Sequence, residues 1–110
     1  MDCFIDLMEH VDGVHLRQLP PLTMLLLWTR NSLYRIVVTE GSNVHVQGGT
    51  FFPDPTPAHI DGASMSGSRF LKEGWIGVGR LMEIRAGGTH IATSPVRAII
   101  CERPGVPIVH

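Results

Sequence analysis

The chain has 110 residues, of which 44% are hydrophobic and only 17% charged, and its formal net charge is −1. A chain of this length folds as one domain and buries about 65% of its unfolded surface in a single core. The near-neutral charge excludes a protein that collects nucleic acid by overall electrostatics alone. The surplus of apolar residues predicts either a surface that a partner covers or a well-filled β core with uncharged turns.

The two cysteines, Cys3 and Cys101, stand far apart and belong to no CxxC motif, so they predict free thiols rather than a disulfide framework. The first residues are acidic where a secretory signal is basic. The longest apolar run, Met24–Trp28, is too short to span a bilayer. The expected location is therefore cytoplasmic, with no membrane partner.

Apolar residues of the N-terminal segment recur at helical intervals, and Asp2 is available as the N-cap; these residues are Phe4, Leu7, Met8 and Val11. The spacing predicts a short amphipathic helix that ends near Gly13. The Pro-Pro pair at 20–21 then separates this segment from the rest. The predicted organisation is a helical segment with a Pro-rich connector (1–22), a β-domain (23–103) and a C-terminal tail (104–110), within a single domain.

From Thr23 onward the pattern is typical of β-structure. The unbroken apolar run Thr23–Thr29 predicts a strand that is buried on both faces, and Leu33–Thr39 alternates in polarity. Placing Val38 opposite Val44 requires an odd loop, so we expect a three-residue connection with a bulge. The alternate prolines of 53–57 predict an exposed rigid loop, because proline cannot donate to a sheet. Further along, Trp75–Ala86 reads as one long strand and Val96–Cys101 as the last strand.

The clearest local signal is the stretch 82–93, which predicts a β-hairpin closed by Gly87-Gly88. This turn sets Ile84 opposite Ile91 on an apolar face. The opposite face then carries the polar residues Glu83, Arg85 and His90.

Seven or so short strands with regularly spaced turn signals predict a mainly β protein, a small antiparallel barrel or sandwich with a short N-terminal helix. Its general shape is similar to that of small SH3 or OB barrels. No motif of either family is present, so the similarity concerns shape alone and implies no function.

No motif indicates a catalytic, cofactor or metal site. The stretch Gly77-Val78-Gly79 lacks the third glycine and the following helix of a phosphate-binding loop. Its glycines are better explained as a place where a barrel wall bends or where Trp75 or Trp28 lies flat. The six histidines lack metal-ligand spacing, and no nucleophile elbow is present. We therefore predict no catalytic residue, no cofactor and no metal.

Arg80 is in phase with the apolar face of its predicted strand, where an unpaired guanidinium is costly. Three interpretations are open. A bulge could turn Arg80 outward, it could pair with an interior carboxylate such as Asp61, Glu83 or Glu102, or it could line the mouth of a barrel and bind an anionic ligand. Together with Arg35, Arg85 and His90, it forms our set of candidate contact residues for a ligand or partner.

Two functions from different classes follow from these observations. The first is a non-catalytic interaction domain that forms a homodimer or binds another protein, which the low charge and the absence of a site motif favour. The alternative is a small nucleic-acid-binding barrel, because residues 23–110 combine eight basic residues with most of the aromatic ones. An enzyme of unidentified type is the third hypothesis.

Overall fold

The computed structural model describes residues 8–65 and 70–102, and all the strand pairing in these ranges is antiparallel. The strands are β1 (Met8–Val11), β2 (Gly13–His15), β3 (Met24–Thr29), β4 (Leu33–Glu40), β5 (Asn43–Gly48), β6 (Phe52–Ser64), β7 (Leu71–Glu73), β8 (Trp75–Gly77), β9 (Leu81–Ala86), β10 (Thr89–Ala92) and β11 (Val96–Glu102). The large sheet has the order β1-β11-β3-β4-β5-β6-β9-β10, with β7 added beside β6, and β2 pairs with β8 separately. The predicted mainly β, antiparallel class is confirmed.

The ends of the large sheet do not meet. Within residues 8–65 and 70–102, β1 pairs only with β11, and β10 pairs only with β9. The described sheet is therefore open, and the barrel, one of the two predicted architectures, is not confirmed.

The predicted N-terminal helix is wrong for Met8–Val11, which form β1 on the edge of the sheet beside β11. Residues 1–7, where that helix would begin, lie outside the described residues. Val11 pairs with Ile99 and packs against the core, so tertiary pairing overrides the helical spacing of the apolar residues. Among the described residues the helical turn at Leu16–Gln18 is of the 3-10 type, and none is α-helical.

The core lies on one face of the sheet, where alternate residues of β3, β4 and β5 are buried. This face comprises Leu25, Leu27, Ile36, Val38, Val44 and Val46, joined by Ile60, Ile84 and Ile99 from other strands. The run Thr23–Thr29 is completely buried on this face only, since Met24, Leu26 and Trp28 on the opposite face are only partly buried. The prediction of burial on both faces is therefore wrong for the isolated chain.

The β4–β5 connection follows the predicted register. Val38 pairs with Val44, and Ile36 pairs with Val46. The bulge is also present, but it falls at Thr39, and the turn itself spans only residues 41–42.

The alternate prolines lie within β6 rather than in a loop. The N–H of Ile60 donates to the carbonyl of Ser42 at 2.9 Å, and Thr56 and Ala58 share the β5-facing side of the strand by their alternation with Ile60. The odd-numbered prolines 53, 55 and 57 thus place their missing N–H groups on the edge that faces away from β5. The loop prediction fails because proline is compatible with a strand edge that needs no donors.

The predicted strand Trp75–Ala86 is broken in two. A turn at residues 78–80 separates β8 from β9, with the N–H of Arg80 donating to Gly77 at 3.1 Å. The prediction that an aromatic ring lies flat against a glycine is confirmed for Gly77 and Trp75. A Cβ on Gly77 would lie 2.0 Å from Cη2 of this ring, and one on Gly13 would lie 2.2 Å from Cζ2, so the indole lies directly against both backbones.

Candidate functional site

The β9–β10 hairpin has the predicted register. Ala86 pairs with Thr89, Ile84 with Ile91, and Arg85 with His90. Gly87 and Gly88 have φ angles of 55° and 84°, as a type I′ turn requires at both central positions. Arg85 and His90, two of the four candidate contact residues, therefore stand side by side on the outer face of the hairpin.

β6 extends this pair into a row of polar side chains. His59 pairs with Arg85, so the three residues His59, Arg85 and His90 cross the sheet in one line. Asp61 and Glu83 lie against this row, and we call these five residues the polar ladder. Sequence reasoning included Asp61 only as a possible partner of Arg80 and His59 only as one of six histidines without metal-ligand spacing, because nothing in the sequence shows that β6 and β9 pair.

Asp61 occupies the centre of the polar ladder because of a β-bulge. The register shifts between Ile60 and Gly62, which makes Asp61 the extra residue opposite β9. Its carboxylate accepts from Arg85 Nε at 2.9 and 3.1 Å, and Arg85 Nη2 lies 2.8 Å from Oδ1. A regular strand would instead place Asp61 opposite Glu83, where two like charges destabilise the pairing.

Two histidines flank the same carboxylate. His59 Nε2 lies 3.6 Å from Oδ1 of Asp61, and His90 Nε2 lies 3.9 Å from Oδ2. The other ring nitrogen of His59 lies 3.1 Å from Oδ1 of Asn43. The polar ladder is thus a connected network in which Asp61 is 19% exposed and each of its three partners is more exposed than the carboxylate.

Glu83 forms the second carboxylate of the ladder. Its Oε1 lies 2.7 Å from His90 Nε2, and its Oε2 accepts from the hydroxyl of the buried Ser64. The carboxylate stands between serine and histidine, whereas a hydrolytic triad needs the histidine between serine and the acid. This arrangement orients His90 but does not activate Ser64 as a nucleophile.

A cleft of about 210 Å³ opens beside the ladder, at the point where β6 changes its partner. On this side of β6 the β5 pairing ends at Asn43 opposite His59, and the β7 pairing begins at Glu73 opposite Gly62. The gap between β5 and β7 forms the cleft. Its lining comprises Arg17, Ser42, His59, Asp61, Leu71, Glu73, Gly74 and Arg85.

One end of this cleft contains an unpaired buried hydroxyl. Ser42 is 6% exposed, and its Oγ has no hydrogen-bond partner among the described residues. A Cβ on Gly74 would lie 3.6 Å from this Oγ and 3.8 Å from Arg17 Nε, so the hydroxyl and the guanidinium face the same point. Neither residue is marked by a sequence motif, because three separate turns bring Ser42, Gly74 and Arg17 together.

The other two candidate contact residues lie elsewhere. Arg35 is exposed on the outer face of β4, where its Nε lies 2.9 Å from Met24 Sδ. Arg80 lies in the turn between β8 and β9, where it borders an open pocket with Phe70 and Lys72. Within the described ranges no carboxylate pairs with Arg80, and a full turn stands at the position where a bulge was considered.

The aromatic residues that favoured nucleic-acid binding are divided between core and surface. Tyr34 and Phe52 are buried, and Arg85 is already paired with Asp61. Neither these aromatics nor Arg85 offer the free stacking faces and free cations that single-strand binders use.

The described ranges hold no group of three or more His, Cys, Asp or Glu side chains arranged to bind a metal ion. They also contain no helix that is long and apolar enough to cross a membrane. No protein-family model, curated protein or solved structure matches the chain. Its functional surfaces are therefore judged by their own geometry and chemistry.

Proposed function

We propose that this chain is a non-catalytic interaction domain, cytoplasmic as its sequence suggests, that forms a homodimer through the outer side of its central strands. The observation that supports this proposal is the outer side of β3, an uncharged central strand that presents Met24, Leu26 and Trp28 away from the core. The neighbouring strands β4 and β11 continue the surface. The outer apolar face comprises Met24, Leu26, Trp28, Leu33, Val37, Ala98 and Ile100.

The register makes this face continuous. Trp28 stands between Ala98 of β11 and Leu33 of β4, and Leu26 stands between Ile100 of β11 and Arg35 of β4. Leu33 is 45% exposed. A contiguous apolar patch on a sheet that already has its own core is typical of an interaction surface.

The size and composition of the face suit a second copy of the same chain. Together with its rim, the face spans five neighbouring strands in the order β1-β11-β3-β4-β5, which cover about 24 Å by 20 Å, or about 480 Å² in projection, close to the roughly 500 Å² per partner that a specific interface needs. Exposed polar residues, His10 and His45, form its rim. Arg35 and Glu102 stand beside these apolar residues on the same side of the sheet, and their opposite charges leave no net charge there by which two copies would repel each other.

Sedimentation equilibrium from about 1 μM to about 500 μM tests this proposal. We expect the mass to rise from that of the 12.1 kDa monomer toward twice that value. Leu26→Lys should keep the protein monomeric throughout the range, because two lysines would meet at the centre of the interface. The outward position of Leu26 allows the fold itself to persist, which a thermal melt checks.

Phe51→Ser is the matched control, since Phe51 is 64% exposed but lies in the β5–β6 turn, away from the outer apolar face. This variant should dimerise like the unmodified protein. A single monomeric species at every concentration would overturn the proposal and leave the face to a different protein partner. Equal loss of dimer in both variants would show that association is non-specific.

A further inference from the structure

We propose that the cleft between β5 and β7 binds a small zwitterion of amino-acid size, with the carboxylate of the ligand on Arg17 and Ser42 and its ammonium on Glu73. This site shares no residue with the outer apolar face, so it does not depend on the proposed dimer. The two experiments can therefore succeed or fail separately.

Ser42 supplies the first argument. Buried hydroxyls in folded proteins are nearly always hydrogen-bonded, and an unpaired one costs stability. Ser42 Oγ is buried, without a partner in the described part of the chain, and borders the cleft. The unpaired hydroxyl is explained if an oxygen of a bound ligand forms its missing hydrogen bond. The exposed Arg17 side chain would then turn toward the same ligand.

The space in front of Gly74 is where that oxygen would bind. A Cβ on Gly74 would lie 3.6 Å from Ser42 Oγ and 3.8 Å from Arg17 Nε, so both donors border this space. Gly74 is held in place by its own backbone, because its N–H donates to the backbone carbonyl of Asp61 at 3.1 Å and its carbonyl accepts from the N–H of Leu16 at 2.8 Å. The absence of a side chain on Gly74 leaves this space open.

The charges around the cleft select a zwitterion over a simple anion. Arg85 and Asp61 neutralise each other through two hydrogen bonds. Arg17 and Glu73 remain, one charge of each sign, and neither has an ion-pair partner among the described residues. A ligand that carries both a carboxylate and an ammonium complements this pair, whereas a bare anion leaves Glu73 facing it unfavourably.

The volume of the cleft agrees with a ligand of amino-acid size. A cleft of about 210 Å³ is below the roughly 300–1,000 Å³ of pockets that hold drug-sized ligands, so it suits a molecule of amino-acid size. His59 and Asp61 form its floor on β6 and offer a donor and an acceptor to any side chain of the ligand.

Titration of the ¹⁵N-labelled protein with L-alanine tests the site, with propionate and ethylammonium as the two halves of the same molecule. We expect saturable shifts of the Ser42 and Gly74 amides, with L-alanine binding at least ten times more tightly than either half. No saturable shift at these amides would overturn the proposal. Equal affinity for propionate and L-alanine would also overturn it, because the site would then recognise an anion only.

Three variants separate binding from folding. Ser42→Ala and Arg17→Gln should each weaken L-alanine binding about tenfold, the loss expected from one hydrogen bond to a charged group. Glu73→Gln should weaken L-alanine binding but not propionate binding. Arg97→Gln removes an exposed arginine outside the cleft and should change nothing. Unchanged binding in Ser42→Ala, with its fold confirmed by an intact spectrum, would refute the role of the hydroxyl.

Discussion

Replacement of Gly77 by alanine tests how the small sheet β2–β8 is held together. Gly77 does not have a left-handed backbone, so alanine fits its main-chain conformation. The new Cβ, however, would lie 2.0 Å from Cη2 and 2.1 Å from Cζ3 of Trp75. Because carbon atoms in contact are about 3.5–4.0 Å apart, the indole ring has to move by roughly 1.5–2 Å.

That displacement has a calculable cost. Forcing a methyl group into a packed site typically destabilises a protein by about 1–3 kcal/mol. The shift also separates the ring from the Lys72 ammonium, which lies 4.3 Å from its centroid, a contact worth about 0.5–1 kcal/mol at an exposed site. Alanine recovers about 0.4–1 kcal/mol by restricting the unfolded chain. We therefore expect Gly77→Ala to lower the free energy of unfolding by about 2 kcal/mol, which corresponds to a decrease of about 8 °C in Tm for a domain of this size.

A double-mutant cycle with Trp75→Ala is the appropriate assay, measured by urea unfolding. Once the ring is absent, Gly77→Ala should cost nothing or stabilise slightly, which gives a coupling energy of about 2 kcal/mol. Gly79→Ala is the matched control. Its φ is 86° and a Cβ there meets nothing within 4 Å, so its cost of about 1 kcal/mol is a backbone cost that Trp75→Ala leaves unchanged. Equal costs of Gly77→Ala in both backgrounds would refute the steric explanation.

Two further predictions concern the β9–β10 hairpin. Ile84→Asp should unfold the domain because Ile84 is 0% exposed. Ile91→Asp should lower the free energy of unfolding by only about 1–2 kcal/mol, because Ile91 is partly buried on an edge strand. Urea unfolding that gives the opposite order would contradict this burial argument. His90→Asp should lower Tm more than His90→Asn does, because the new carboxylate would approach Glu83 and Asp61. Melts at low and high salt check this, since screening should narrow the difference, and a higher Tm for His90→Asp would show that its pairing with Arg85 dominates.

The hairpin shows what sequence reasoning predicts well. Two glycines at the turn fix its type, and the apolar alternation fixes which face is buried, so the pairs of Arg85 with His90 and of Ile84 with Ile91 both agree with the structure. The pairing of Val38 with Val44 was predictable for the same reason. In both hairpins the information is local, because the strands that pair are neighbours in the chain.

Pairs that are distant in sequence were not predictable. Met8–Val11 have helical spacing, yet they pair with β11 at the other end of the described chain. His59 reaches Arg85 only because β6 and β9 are neighbours in the sheet. Ser42, Gly74 and Arg17 meet in the cleft through three different turns, so no motif in the sequence marks the candidate site.

The cleft and the polar ladder have a common structural cause in β6. Gly62 pairs with Glu73, and a Cβ on Gly62 would lie 2.1 Å from the carbonyl oxygen of Lys72, so β7 can approach β6 only at a residue without a side chain. The bulge at Asp61 immediately precedes this contact and turns the carboxylate toward Arg85. Any larger residue at position 62 would push β7 away and open the wall of the cleft that Glu73 provides. The position of the site therefore depends on a glycine and an irregular backbone, neither of which resembles a ligand-binding residue in the sequence.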